Sequence, residues 1–311
     1  MKLNRISIFS FFVATAFVAI SCKNDDDVSI EPPRDVTEVM LEDDEELQEF
    51  LATHFYNYEE FETPSEDFNY KIVFDTISGD NANKTALLDQ VQDTTVYIDD
   101  ADGEAVAHKL YYLTVREGIG ERPHSCDSVF VRYTGSSLKG VDFDNSNVPV
   151  WFDLLSTVRG FSEFFPKLKT GVYEGLQSGV PTYSDYGIGA VFMPSGLAYF
   201  SDALTGVSAY SPLIFRADLL SYELADHDGD LVPSYLEYRD EDGEVLDTDE
   251  DGVADVYDTD DDGDGALTKD EIEYEDYNGD GEITFDEVTL TDSNDDGTPD
   301  YLDPDVYPED E

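Results

Sequence analysis

Nothing constrains this chain more than the charge at its C-terminal end. Residues 226–311 hold 36 Asp or Glu against two basic residues, Arg239 and Lys269, or −34 of a formal net charge of −56. A segment so self-repelling cannot collapse on apolar contacts alone; it needs cations or stays a solvated chain. The acids are patterned. Residues 260–271 (DDDGDGALTKDE) and 276–287 (DYNGDGEITFDE) fit D-x-[DN]-x-[DN]-G-x5-E at every position. Asp260, Asp262, Asp264 and Glu271, and then Asp276, Asn278, Asp280 and Glu287, are the candidate metal ligands. Such oxygens suit Ca2+, a hard cation that takes about six to eight of them, and the glycine permits the sharp turn.

Three further stretches are variants. Asp247, Asp249, Asp251 and Asp258 take the ligand positions of 247–258, and Asp292, Asn294, Asp296 and Asp303 those of 292–303. Asp226, Asp228, Asp230 and Glu237 mark 226–237, where Leu231 replaces the glycine. One ion per loop would leave the tail near about −24. Only residues 272–275 separate the two full loops, too few for the paired helices of a calcium sensor. The expectation is an Asp-rich calcium-loop array, ordered by structural Ca2+ and with little core of its own.

The N-terminus reads as a processing signal. Lys2 and Arg5 precede an apolar run at 6–20 (ISIFSFFVATAFVAI), of signal-peptide length and short for a membrane span. Ala19-Ile20-Ser21-Cys22 resembles a bacterial lipobox, which implies a signal peptide at 1–21 and a lipid anchor on Cys22. Lys23-Asn24-Asp25-Asp26-Asp27 resembles the acidic export signal of some Bacteroidetes lipoproteins. The implied location is the cell envelope, lipid-anchored at the outer membrane and facing the periplasm or the surface. Residues 22–40 read as a tether. With Cys22 lipidated, Cys126 would be the only thiol, leaving no intrachain disulfide. Only 17 Lys and Arg argue against nucleic acid as a partner.

Between these ends the pattern is α+β. Residues 41–61 carry apolar side chains at helical spacing (Leu47, Phe50, Leu51, Phe55, Tyr58). A strand is expected at 70–77, so 41–104 reads as an N-terminal helix and strand extension. From 105 the strand signals are dense, as in SVFVRYTG (128–135). TVRGFSEFFPKL (157–168) is the candidate helix, with Pro166 ending it early. Phe143-Asp144 stands out, because adjacent strand residues face opposite ways. Alone, Asp144-Asn145-Ser146 reads equally as the start of a turn.

The blocks VRYTG, GVDFDNS, VWFDL, TVRGF, PSGLAYF and SPLIFRADLL occur in the order of the signature blocks of FKBP-type peptidyl-prolyl isomerases, and roughly 109–223 resembles that family. The resemblance implies an FKBP-like antiparallel half-barrel around a short helix over 105–225. It implies proline-containing polypeptide clients and no catalytic cofactor. It also implies a pocket of Tyr133, Phe143, Asp144, Val158, Phe161, Tyr199 and Phe215. Phe200 stands where the family has Gly, Val207-Ser208-Ala209 where it has Ile-Pro-Pro, and Phe164 where it has a small residue. A segment at 172–189 is inserted after the helix. These departures surround the pocket rim, so a proline-binding module without turnover is the alternative. The 247–258 and 292–303 loops resemble thrombospondin type 3 repeats, which leaves a third option, a calcium-dependent adhesion or spacer protein. The helix at 41–61 is similar to arms that some extracytoplasmic isomerases use for dimerisation or client holding; packing on its own domain is the other reading.

Overall fold

Alternation builds the central sheet. In the computed structural model, which describes residues 32–239 and 243–307, Val129 and Val131 are fully buried while Phe130 and Arg132 between and beside them are half-buried. These belong to β5 (Ser128–Ser137). It pairs antiparallel with β6 (Asp142–Asp153) and β10 (Leu213–Glu223). The sheet continues through β9 (Gly187–Met193), β4 (Ala105–Arg116) and β3 (Gln92–Asp99), in the order β3-β4-β9-β10-β5-β6. β9 is buried at all seven positions, which is why it reads as an unbroken apolar run.

Both faces of the sheet are covered. On one, Val131, Val191, Met193, Phe215 and Leu219 meet Phe161, Phe164, Phe165 and Leu168. The last four come from α3 (Arg159–Ser162), the 3-10 turn Phe165–Lys167 that follows it and the two residues that flank that turn. The single helix expected over 157–168 is thus one α-turn and one tighter turn, broken at Glu163–Phe164, with Pro166 inside the second turn. On the other face Tyr111, Leu113, Ile188, Phe192 and Ile214 receive Leu47, Phe50 and Leu51 of α1 (Val36–Thr53). α1 packs on its own domain.

α1 starts five residues before the expected 41, so residues 36–40 are helix and not tether. The Asp35 carboxylate accepts from the Glu38 amide at 2.8 Å, an N-cap that satisfies a free amide. α1 also ends early. β1 (His54–Tyr56) pairs with β2 (Phe74–Thr76), the part of the expected 70–77 strand that forms one, and α2 (Tyr58–Glu62) follows β1. The boundary expected at 105 falls inside the sheet, because β3 is its edge strand. The inserted 172–189 segment supplies β7 (Val172–Gln177) and β8 (Val180–Ser184), paired with each other, and the start of β9.

The acidic loops follow β10. α4 (Ser234–Glu237) comes first, then 3-10 turns at Asp255–Tyr257, Thr268–Asp270, Phe285–Glu287 and Asp300–Leu302. β11 (Ile272–Tyr274) pairs with β12 (Val288–Leu290). A small core of Val232, Ile272 and Tyr301 gathers Leu231, Val288, Leu290 and Leu302. Among the described residues no helix is long and apolar enough to cross a membrane. The signal peptide at 1–21, Cys22 and the start of the tether lie outside the described residues.

Candidate functional site

Phe143 and Asp144 reach the same side of β6 because the strand is irregular there. Asp144 pairs with Gly135 and Asp142 with Ser136, so Phe143 is the extra residue of a bulge. A bulge breaks the alternation and re-aims a side chain. Phe143 can therefore point at the core while Asp144 stays exposed at its rim. The Tyr133 hydroxyl donates to Asp144 Oδ2 at 2.7 Å. Burial, reinforced by the Asp144 carboxylate, raises the Tyr133 phenol above its ordinary range.

The rings around this pair form one cluster. Phe215 lies 5.6 Å from Phe143 and 5.1 Å from Phe161, both edge to face. Tyr133 is 6.2 Å from Phe161 and 6.4 Å from Phe215. Phe161 and Phe215 are buried and make the floor; Tyr133, Phe143, Val158 and Tyr199 are half-buried and stand around it. Val158 caps α3, its carbonyl accepting from the Phe161 amide at 2.9 Å. The structure thus brings six of the seven sequence-derived pocket residues onto one core, with Asp144 at its edge. Gly135 lets the rings close up: a Cβ there would lie 2.7 Å from both Phe143 and Phe215.

Tyr199 follows the 3-10 turn Ser195–Leu197. Its hydroxyl has no hydrogen-bond partner among the described residues, and burial, with the Asp144 charge second, raises its phenol. The turn is held from the far side of the sheet domain. Asp43 of α1 accepts from the Ser195 amide at 2.7 Å and from its hydroxyl at 2.6 Å. Sequence reasoning missed Asp43; the available signal was an acid spaced at i+4 between buried Val39 and Leu47. It also missed Phe152, which meets Tyr133 at 5.3 Å and Phe161 at 5.7 Å.

Among the described residues, neither Phe200 nor the inserted hairpin, the two groups that could have plugged the cluster, makes a ring contact with it. Phe200 takes a left-handed backbone, φ 46°, which is the geometry that favours glycine, and its ring packs on Tyr210 at 5.1 Å. The β7–β8 hairpin makes its ring contact through Tyr183 with Phe130, which stacks on half-exposed Trp151. Phe164 is fully buried beneath Gly189, and Val207 joins the core.

The five acidic loops share one backbone pattern. The first Asp of each accepts from the amide at position six: Leu231, Gly252, Gly265, Gly281 and Gly297. All five of those residues have φ between 80° and 101°. Leu231 thus adopts the turn that its side chain disfavours, at about 1–2 kcal/mol.

Side chains are gathered unevenly. Oxygens of Asp247, Asp249 and Asp251 lie within 4.8 Å of one another, as do those of Asp260, Asp262 and Asp264. Glu271 is buried beside the latter set, one oxygen unpartnered. Asp228, Asp230 and Glu237 converge within the same distance on Asp261, a residue outside the expected ligands. Burial first, then the neighbouring carboxylates, pushes Glu237 up to about 11 and Asp261 up to about 9. Asp226 is turned to the Gly229 and Leu231 amides, and Asp258 to the Asp260 amide. In the last two loops the expected ligands hold the backbone or each other. Asp276, Asn278 and Asp280 accept amides, Glu287 accepts from Tyr277 at 3.0 Å, and Asn294 donates to Asp303 at 2.8 Å; Asp292 and Asp296 accept amides.

No family model matches the chain. The FKBP-type peptidyl-prolyl cis-trans isomerase FkpA of Aeromonas hydrophila is 32% identical over 124 residues, 39% of this chain and 41% of that protein. Escherichia coli K12 FkpA is 30% identical over 119 residues, covering 37% and 38%. The Mip isomerase of Coxiella burnetii is 29% identical over 122 residues, covering 38% and 46%. Over about two fifths of its length this chain is similar to FKBP-type peptidyl-prolyl isomerases. It spans less than half of those relatives. Among solved structures, a Pseudomonas syringae pv. tomato isomerase aligns at 25% identity and TM-score 0.31, over 41% of this chain and 80% of that one. E. coli FkpA aligns at 28% and 0.31, over 41% and 51%.

Proposed function

We propose that the sheet domain is a peptidyl-prolyl cis-trans isomerase that assists the folding of exported proteins. The observation that carries the reading is the aromatic floor of Phe161 and Phe215 with the Tyr133–Asp144 hydrogen bond and the unpartnered Tyr199 hydroxyl at its edge. An X-Pro bond rotates over a barrier of roughly 18–20 kcal/mol, because twisting the amide costs resonance. Uncatalysed, this takes ~10–100 s. No nucleophile, metal or general base is required; the site has only to favour the twisted amide over the planar one. The rings hold the pyrrolidine and strip water from its carbonyl, which favours the less polar twisted form. Tyr199 donates to the substrate carbonyl. Asp144, steered by Tyr133, faces the amide as it twists. A protease-coupled prolyl assay on the full chain tests this: Asp144→Ala and Tyr199→Phe each lower kcat/KM at least tenfold. A wild type no faster than buffer removes the enzyme. Peptide affinity without rate enhancement makes the domain a proline-binding module.

The loops are proposed to hold structural Ca2+, supported by their repeated turns and convergent carboxylates. The chain is proposed to reach the cell envelope through its signal peptide and a lipid on Cys22, on the strength of residues 1–27.

A further inference from the structure

Asp228, Asp230 and Glu237 belong to the first acidic loop and Asp261 to the third, yet one oxygen from each lies within 4.8 Å of the others. Asp230, Glu237 and Asp261 are each 1% exposed. Both carboxylate oxygens of Glu237, both of Asp261 and one each of Asp228 and Asp230 have no hydrogen-bond partner among the described residues. Buried carboxylates are paired, hydrogen-bonded or on a metal, since leaving them bare costs several kcal/mol per group. Oxygens about 2.3–2.6 Å from a common Ca2+ lie within roughly 5 Å of each other, so the spacing fits one ion. Position two of the third loop, Asp261, is not a ligand position of that loop's own motif. It faces back to the first.

The same helical turn that offers Glu237 also grips the sheet domain. Tyr235 of α4 stacks on His124 at 4.0 Å. Tyr238, which ends it, accepts from Arg159 Nη1 at 2.8 Å, and Arg159 opens α3, the turn that carries Phe161 of the pocket floor. His227, in the first loop, lies 3.2 Å from Asp153 at the end of β6. α4 therefore has the carboxylate cluster on one side and the sheet domain on the other.

We infer that Asp228, Asp230, Glu237 and Asp261 form a cross-loop Ca2+ site, and that the ion bound there fastens the acidic tail to the sheet domain through α4 and Arg159. The site presupposes that the loops take Ca2+ at all. It goes further in naming a ligand that joins two loops, and a consequence at α3. The remaining loops stiffen the tail; this one sets its attachment. Ca2+ at this site orders α4, and α4 then holds Arg159 and the start of α3.

The test uses the full chain, freed of metal with a chelator and titrated with Ca2+ by calorimetry, with amide exchange followed by mass spectrometry. In the wild type, Ca2+ slows exchange at 234–238 and 159–163 at least tenfold. Asp261→Asn takes up one ion fewer per chain and loses that protection at saturating Ca2+, while 276–303 keeps its own. Glu237→Gln reproduces both effects. Each isosteric change removes a ligand oxygen, so each lowers the midpoint of unfolding in Ca2+ and leaves it nearly unchanged in chelator; a merely structural role would lower it in both. Asp280→Asn, in the fourth loop, leaves protection at 234–238 intact. Unchanged stoichiometry and protection in Asp261→Asn, with Ca2+ still bound, overturns the cross-loop site alone. No uptake by the wild type overturns it together with the calcium reading of the loops.

Discussion

At the scale of single residues, the pocket depends on what is missing as much as on what is present. Gly135 sits between Asp144 on β6 and Phe215 on β10, and a methyl there would press on two rings at 2.7 Å. Gly135→Ala should leave the fold intact at a cost of about 1–3 kcal/mol, as overpacking does. Because Phe143 and Phe215 must separate, the prolyl assay should fall by more than the stability loss explains. A variant with unchanged kcat/KM would show that those rings do not bound the substrate. Asp43 makes a second residue-scale prediction. Burial pushes its carboxyl up to about 6 from 3.8, against the pull of the Ser195 hydrogen bonds and with Glu46 and Glu42 adding to the rise. The folded state thus binds the proton more tightly than the unfolded chain. Its contribution to stability is full below about pH 4 and is lost as pH climbs through about 6, by at most about 3 kcal/mol. Denaturation midpoints of wild type and Asp43→Asn, compared from pH 4 to 8, should converge at the acid end and part above pH 6. Parallel curves would mean that Asp43 does not titrate in that window.

At the scale of elements, what matters is which segments share a core. α1 reads from sequence as a helix with one apolar stripe, and a stripe does not say what it meets. The structure lays it across β4 and β9, with Leu47 and Leu51 fully buried, and ties it through Asp43 to the turn that carries Tyr199. An arm used for dimerisation would lose little on truncation of that face. Here Leu47→Ala should cost about 2–5 kcal/mol, the range for a buried leucine left as a cavity. Chemical denaturation measures it, and a loss under 1 kcal/mol would return α1 to the status of an independent arm. The bulge in β6 belongs to this scale too. A strand of regular alternation would have sent either Phe143 or Asp144 to the outer face, and the site needs both.

At the scale of the whole molecule, charge divides the chain into a part that folds on apolar contacts and a part that must be neutralised. The sheet domain has two buried clusters; the tail has Val232, Ile272 and Tyr301. Chelation should therefore melt the tail and spare the sheet. Circular dichroism of the full chain should show loss of ordered signal at millimolar chelator, recovered by Ca2+ and not by Mg2+, which demands a tighter octahedron. A spectrum indifferent to chelator would mean that the loops are held by their backbone hydrogen bonds alone.

The sequence by itself determined whatever is written locally. Asp and Gly at fixed offsets specify the turn of four of the five loops, because the first carboxylate and the sixth amide are near neighbours on the backbone. The alternation of Val129, Val131 and Tyr133 specifies a half-buried strand. Ordered blocks, through their resemblance to a family, also picked out six side chains that share one core. Only the tertiary structure decided which distant groups meet: Asp43 with Ser195, Phe143 turned inward by a bulge, Asp261 with Glu237 across two loops. Those meetings depend on register and packing, which are set by the sum of many weak contacts over the whole sheet and leave no mark at any one position.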